Sequence, residues 1–480
     1  MLAMPVTCCR KKGIGRAMKK KLIGNREFYK IVLAVAVPIM IQNGITNFVG
    51  LLDNIMVGRI GTEQMSGIAI VNQLMMVFNI SIFGAISGAG IFGAQFFGCD
   101  DHKGVRDTFR FKLYACLLIV IVGLLIFIFA GEPLILLYLH GEGMEEQLNA
   151  ALVYGKEYLA VMLVGLFPFA LEQVYTSTLR ECRETMVPMK AGIAAVLVNL
   201  VFNYLLIFGK FGFPELGVAG AAIATVVSRF VQAAIVIIWT HKHADRMKFI
   251  TGAYASPVIP LGLVGNILKK GTPLIVNEIL WAAGMAYLMQ CYSVRGLSAI
   301  AALNISSTIS NLFNTVFIAM GSAIAIIVGQ LLGAGKMDEA KDTDTKLIAF
   351  SVACCVGIGG ILALTAPLFP MMYNTSEEVK ELATAFIRIV ACCMPMAAFI
   401  HASYFTLRSG GKTIVTFLFD SVFLWCASIP LAYVLSRYTT LHVIPLYLAC
   451  QLIDIIKCVI GFILVKKGVW IQNIVQEKQA

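Results

Sequence analysis

Long apolar runs, broken by Gly, Pro and clusters of charge, dominate the chain from residue 31 to residue 465. They fall at 31–57, 66–97, 108–130, 155–179, 187–209, 217–240, 262–292, 298–332, 345–369, 384–407, 413–436 and 441–465. Each holds about the 20 apolar residues that a helix needs to cross a bilayer, so the pattern predicts twelve transmembrane helices. The stretch LILLYLH at 134–140 is too short to span and reads as loop. Residues 1–30 are basic and lack the apolar core of a secretory signal, so they read as a cytoplasmic head, with Met18 an alternative start.

Composition agrees with the pattern and narrows the classes. Of the 480 residues, 59% are hydrophobic and 14% charged, against roughly 25% charged in soluble domains. A water-soluble globular protein is excluded, as is a soluble enzyme carrying one anchor. The formal net charge of +11 would suggest nucleic acid in a soluble chain, but placement explains it here. Arg59, Lys156, Lys210, Arg295, Lys380 and Arg437 fall on one side of the twelve-span arrangement, and Arg229, Arg388 and Lys457 within spans. All other Lys and Arg lie with the two termini, which the positive-inside rule places in the cytoplasm. The 13 cysteines, most of them inside apolar runs, read as reduced core residues, and no metal-ligand spacing appears.

The chain also repeats itself. At an offset of 235, Pro38 falls on Pro273, Gly61 on Gly296, Phe78-Asn79 on Phe313-Asn314, Ser87 on Ser322, Gln95 on Gln330, Gly98 on Gly333 and Asp107 on Asp342. At an offset of 228, Thr178-Leu179-Arg180 falls on Thr406-Leu407-Arg408 and Thr185 on Thr413. Six spans per repeat is an even number, so the halves share one topology and should be related by an axis along the membrane normal, with a cavity between them. The expected organisation is a cytoplasmic segment 1–30, an N-lobe 31–240, a cytoplasmic linker 241–261, a C-lobe 262–465 and a cytoplasmic tail 466–480.

The segments PIMIQNGITNFVGLLDNIMVGRIG, NLVFNYLLIFGKFGFPELGVAGAAIATVVS, TPLIVNEILWAAG and IIVGQLLGAGKMDEAKD resemble the multidrug and toxic compound extrusion (MATE) transporters. The resemblance implies an all-α membrane protein of two six-helix lobes around a V-shaped cavity, exporting organic cations in exchange for Na⁺ or H⁺. It covers the chain from about residue 26, and the segment from Asn199 to Ser228 is its most specific part.

Ionised side chains within a bilayer are costly, so each intramembrane acid calls for a reason. Asp53, near the end of the first span, reads equally as an interfacial acid or a functional one, and the resemblance assigns it to the N-lobe cation site. Asn199 and Asn203 stand four apart on one helix face, and Thr225 on the sixth span adds a hydroxyl. Such oxygens suit a small hard cation, with transient Na⁺ the only metal expected, although interhelical hydrogen bonding would explain the amides as well. In the resembling family the position of Asn203 is usually Asp, so this lobe keeps one carboxylate. Glu278, in NEILWAAG, is flanked by apolar helix and present in one half only; it resembles the acid of the C-lobe cation site. The family's partner Asp is absent, Ala397 standing there, and His401 one turn on could titrate instead. Asp420 reads equally as a cavity acid or an interhelical tether, Glu172 and Arg388 are similarly open, and Asp454 with Lys457 reads as a structural i, i+3 pair.

The expected function is therefore a cation-coupled antiporter working by rocker-switch alternating access, a monomer in the cell membrane that takes a small-molecule substrate and needs no cofactor or nucleic acid. The alternative is a lipid-linked oligosaccharide flippase of the same superfamily, which would need cationic groups in the cavity for pyrophosphate. No enzyme is expected: GGKT at 410–413 lacks the first glycine of a phosphate loop, and HExxH and GxSxG do not occur.

Overall fold

The computed structural model describes residues 22–58, 60–139, 145–373 and 375–476, among which no strand occurs. The expected head up to residue 21, Met18 and Arg59 lie outside them. The helices are α1 (Arg26–Gly58), α2 (Thr62–Gly98), α3 (His102–Tyr138), α4 (Glu145–Val164), α5 (Leu166–Glu181), α6 (Met186–Ile207), α7 (Gly217–Lys242), α8 (Leu261–Ser293), α9 (Leu297–Gly333), α10 (Met337–Thr365) and α11 (Glu377–Ser409). Two further spans follow, α12 (Thr413–Tyr438) and α13 (Val443–Lys467). Eleven of these helices are long and apolar enough to cross a membrane, and the pair α4 and α5, bent by 47° at Gly165, has that length and apolarity taken together, for up to twelve spans. Every expected span is therefore a helix. One expectation fails: LILLYLH is not loop to its end, because α3 runs on to Tyr138 with Pro133 inside it.

Local chemistry explains several of these helices. Pro38 inside α1 has no amide hydrogen, which leaves the carbonyl of Ala34 without its partner one turn on. The Thr185 hydroxyl donates to that carbonyl at 2.9 Å and ties α1 to the start of α6. At the start of α3, Asp101 accepts from the Gly104 amide, an N-cap that closes the turn after α2. Pro168 in the first turn of α5 suits a helix that restarts after a bend. Between α3 and α5, Lys112 is fully buried, with its ammonium 2.6 and 2.7 Å from the two Glu181 oxygens and also near Ser177 and Thr178.

The first six spans pack mainly on each other, as do the last six, and the two sets meet where α1 and α2 face α8 and α9. Glycines permit the approach: a Cβ on Gly88 would strike Gly271, and one on Gly84 would strike Ile275. At the end where Leu22 and Gln476 lie, the contact is reciprocal. Gln95 donates to the Ser409 carbonyl at 3.0 Å, and Gln330 donates to the Glu181 carbonyl at 2.6 Å. Both pairs are mates in the repeat. Gly98 presses on the Gln330 backbone carbonyl, and its mate Gly333 on that of Gln95. The C-terminal segment closes over the same contact: Ile474 donates to Gln95 Oε1 at 2.9 Å and Asn473 to the Gly333 carbonyl at 3.0 Å.

Away from this closed end, polar residues are exposed on facing helices. On α9, Asn304, Ser307, Thr308 and Asn311 recur at helical spacing, and Asn72 and Gln73 of α2 occupy the same places in the repeat as Ser307 and Thr308. A lipid-facing stripe of this kind would leave polar groups in hydrocarbon, so these faces suit a water-accessible surface better than a lipid-facing one.

Candidate functional site

Four of the residues singled out in sequence meet beside α1. Asn199 and Asn203 project from one face of α6 and are buried. Asn203 Nδ2 donates to Asp53 Oδ1 at 2.6 Å and to Asn199 Oδ1 at 3.1 Å. Asn199 Nδ2 in turn donates to Thr225 Oγ1 of α7 at 3.4 Å. The carbonyl oxygen Oδ1 of Asn203 is buried with no hydrogen-bond partner among the described residues. An orphaned buried acceptor next to a carboxylate whose neighbours are neutral amides is an arrangement a cation would complete, because each oxygen would gain a positive partner. Sequence reasoning missed Tyr158 of α4, whose hydroxyl is within electrostatic reach of Asp53 and of Arg229. It lies 3.5 Å from Asn72, on the polar face of α2.

Glu278 lies elsewhere, half-buried on α8, within electrostatic reach of Arg408 and Asp420. Its neighbour Asn277, which the sequence reading passed over, is the hub of this second cluster. Asn277 Nδ2 donates to Asp420 Oδ2 at 3.1 Å, and its Oδ1 accepts from the Ser421 hydroxyl at 2.8 Å. His401 is near Asp420 and Lys457, with its ring stacked 4.7 Å from that of Phe317. Asp420 thus brings to this cluster a carboxylate from α12. The backbone is irregular at that point: Leu418–Val422 and Leu424–Ser428 are π-helical, a form that recurs at functional positions.

The expected pair of Asp454 with Lys457 is corrected. Lys457 Nζ instead lies 2.6 Å from Asp420 Oδ1, across from α13 to α12, with its ammonium 5.4 Å from the Phe419 ring centre. Asp420 already accepts from Asn277 and offers a second fixed oxygen, and the aromatic face adds attraction, so the interhelical partner compensates a buried ammonium better than a neighbour on its own helix. Asp454 lines the same cavity of about 160 Å³ with Asp420, Lys457 and Gln451. Glu172 is tied into structure: it accepts from Thr176 at 2.6 Å and from Gln232 at 3.0 Å.

Breaking the Asp420–Lys457 pair should be costly. Lys457→Met leaves a buried carboxylate uncompensated and is expected to lower stability by about 3 to 5 kcal/mol, whereas Asp420→Asn with Lys457→Met should recover most of that loss. Thermal midpoints of the purified variants in detergent test this; equal midpoints for the single and double variants would show that the charges are not coupled.

The comparisons with known proteins fit this geometry. A model of the MatE family matches residues 38–205 and 273–434, the two halves in turn. The probable multidrug resistance protein NorM of Thermotoga maritima is 24% identical over 449 residues, covering 92% of this chain and 93% of its own. A protein described in the same words from Oceanobacillus iheyensis is 26% identical over 420 residues, covering 86% of this chain and 91% of its own. Among solved structures, a mutant of the Vibrio cholerae MATE transporter VcmN superposes with a TM-score of 0.83 at 16% identity, over 93% of this chain and 98% of that one. An outward-facing multidrug resistance MATE family transporter gives 0.81 at 18% identity, over 93% and 96%. Matched in both halves by one family model, and sharing with its relatives a twelve-span helical fold, this chain belongs to the MatE family of multidrug efflux transporters.

Proposed function

We propose that the protein is a Na⁺- or H⁺-coupled antiporter that exports organic cations from the cytoplasm across the cell membrane by rocker-switch alternating access. The observation that carries this reading is the hydrogen-bonded chain of Asp53, Asn203, Asn199 and Thr225, with one carboxylate and a buried, orphaned Asn203 oxygen. A cation bound there neutralises Asp53 and changes the free energy of the N-lobe, which is how occupancy of a site biases a two-state movement. The reciprocal seal of Gln95 and Gln330 supports two lobes of one orientation, N-lobe 31–240 and C-lobe 262–465, swinging about a pseudo-two-fold axis. That seal is then the cytoplasmic gate, closed here, and the polar faces of α2 and α9 line the outward cleft. Glu278 and Asp420 form the C-lobe coupling group, with His401 beside them. The acids at both sites, and relatives described as multidrug resistance proteins, favour this reading over a flippase for lipid-linked sugars.

The test is efflux of a fluorescent organic cation from proteoliposomes under an imposed Na⁺ or pH gradient. Gradient-driven efflux with either ion supports coupling, and efflux indifferent to both gradients overturns it. In the same assay Glu278→Gln, which keeps size and hydrogen bonding but removes the charge, is expected to cut gradient-driven export at least about tenfold. Wild-type export by that variant at matched expression would show that coupling resides elsewhere, with Asp53 the next candidate.

A further inference from the structure

A groove of about 580 Å³ runs between α10, α11 and α13 at the end of the bundle where Leu22 and Trp470 lie. Its walls are apolar, formed by Ile348, Val352, Phe399, Phe462 and Val465, and Trp470 fills its base, fully buried with its indole N–H donating to the Val465 carbonyl at 3.2 Å. The groove extends along α10 from Lys341 to Ala353, a rise of about 18 Å, close to the roughly 15 Å of one leaflet's hydrocarbon.

Charge is arranged at one end only. Lys341 and Lys466 flank the mouth, and neither has an acidic partner among the described residues, whereas the neighbouring Lys336 and Lys346 are paired with Glu339 and Asp342. Lys466 lies 5.6 Å from the ring centre of Phe462. The one acid in the lining, Asp344, is fully buried nearly a turn deeper and accepts from the Thr406 hydroxyl at 2.6 Å. Leu22 also lines the groove, and the sequence just before it, from Arg10 to Lys21, carries seven Lys and Arg and no acid.

We infer that this groove is a site for an anionic phospholipid, with one acyl chain along its apolar walls and the headgroup phosphate between Lys341 and Lys466. An apolar slot one leaflet deep fits a chain, and two ammonium groups held in no ion pair among the described residues fit a phosphate at its mouth. The inference rests on the spanning fold and not on the coupling ion or the exported substrate. A lipid held here would brace α10 and α13 against α11, the helix that carries His401 and Arg408.

The experiment reconstitutes the full chain in vesicles and compares immobilisation of spin-labelled phosphatidylglycerol with that of spin-labelled phosphatidylcholine. The expected preference for phosphatidylglycerol is at least about fivefold at low salt, falling as salt rises. Lys341→Gln with Lys466→Gln should bring it near parity, Lys341→Arg with Lys466→Arg should keep it, and Ala353→Trp, which fills the groove from an exposed position, should reduce the bound lipid. Equal binding of the two lipids by the wild-type protein overturns the site. So does unchanged binding by Ala353→Trp at a wild-type thermal midpoint. Deletion of residues 1–21 separates the remaining sources: complete loss of preference would assign it to the basic segment alone, and increased lipid binding would make that segment the occupant of the groove, either result overturning the inference.

Discussion

Asp53→Asn is expected to lower gradient-driven export about 10- to 150-fold while leaving the fold intact. The range is the effect of losing one charge-assisted contact, about 1.5 to 3 kcal/mol, expressed as a ratio. Folding should survive because an asparagine at position 53 still presents an oxygen to Asn203 Nδ2, now 2.6 Å from Asp53. Transport suffers because every other ligand of the chamber is neutral: without Asp53 nothing there distinguishes a cation from water. The complementary change is Asn203→Asp. Two carboxylates that close cannot both stay ionised without a cation or proton between them, so this variant should bind the coupling cation more tightly and depend on its gradient more steeply. Efflux rates against Na⁺ concentration and pH, at matched expression, check both. Wild-type export by Asp53→Asn would remove the N-lobe chamber from the coupling mechanism.

The amide pair of the chamber is legible in sequence for a local reason, whereas Asp53 joins it only through the family resemblance. Asn199 and Asn203 are four apart on one helix, so their shared face is fixed by helical geometry before any packing is known. The spans were legible because hydrocarbon thickness sets a minimum apolar length. The bend at Gly165 has a local signal in Pro168, whose missing amide hydrogen breaks the ladder at Val164, but the apolar run 155–179 gives no angle for it. The same limit explains Lys457. Spacing along α13 offers Asp454 as a partner, but the ammonium pairs with Asp420, 37 residues away, and only packing decides which carboxylate a buried lysine reaches. Likewise the contact of Asp420 with Asn277, on a helix 143 residues away, is set by packing and not by spacing. Gln95 and Gln330 stood out as repeat mates; that each would donate to the opposite half is a property of the axis between the halves.

That axis makes the second large effect a symmetric one. Gly98→Leu is expected to abolish export, lowering it at least about 100-fold, because its Cβ would occupy the space of the Gln330 backbone carbonyl. Backbone cannot move aside as a side chain can, so the lobes must separate at the sealed end. Overpacking that costs about 3 kcal/mol in the sealed state alone shifts the balance between states by about 150-fold. Gly333→Leu should have the same effect, since Gly333 meets the Gln95 carbonyl in the equivalent contact. Combining the two should add little to either, because both act by opening one seal. Maleimide labelling reads the opening directly: Cys182, buried next to the Glu181 carbonyl that Gln330 holds, should react slowly in a variant retaining only that cysteine and much faster once Gly98→Leu is added. Loss of export with unchanged labelling would separate the glycine from the gate. Wild-type export by Gly98→Leu would show that transport does not require the halves to meet there.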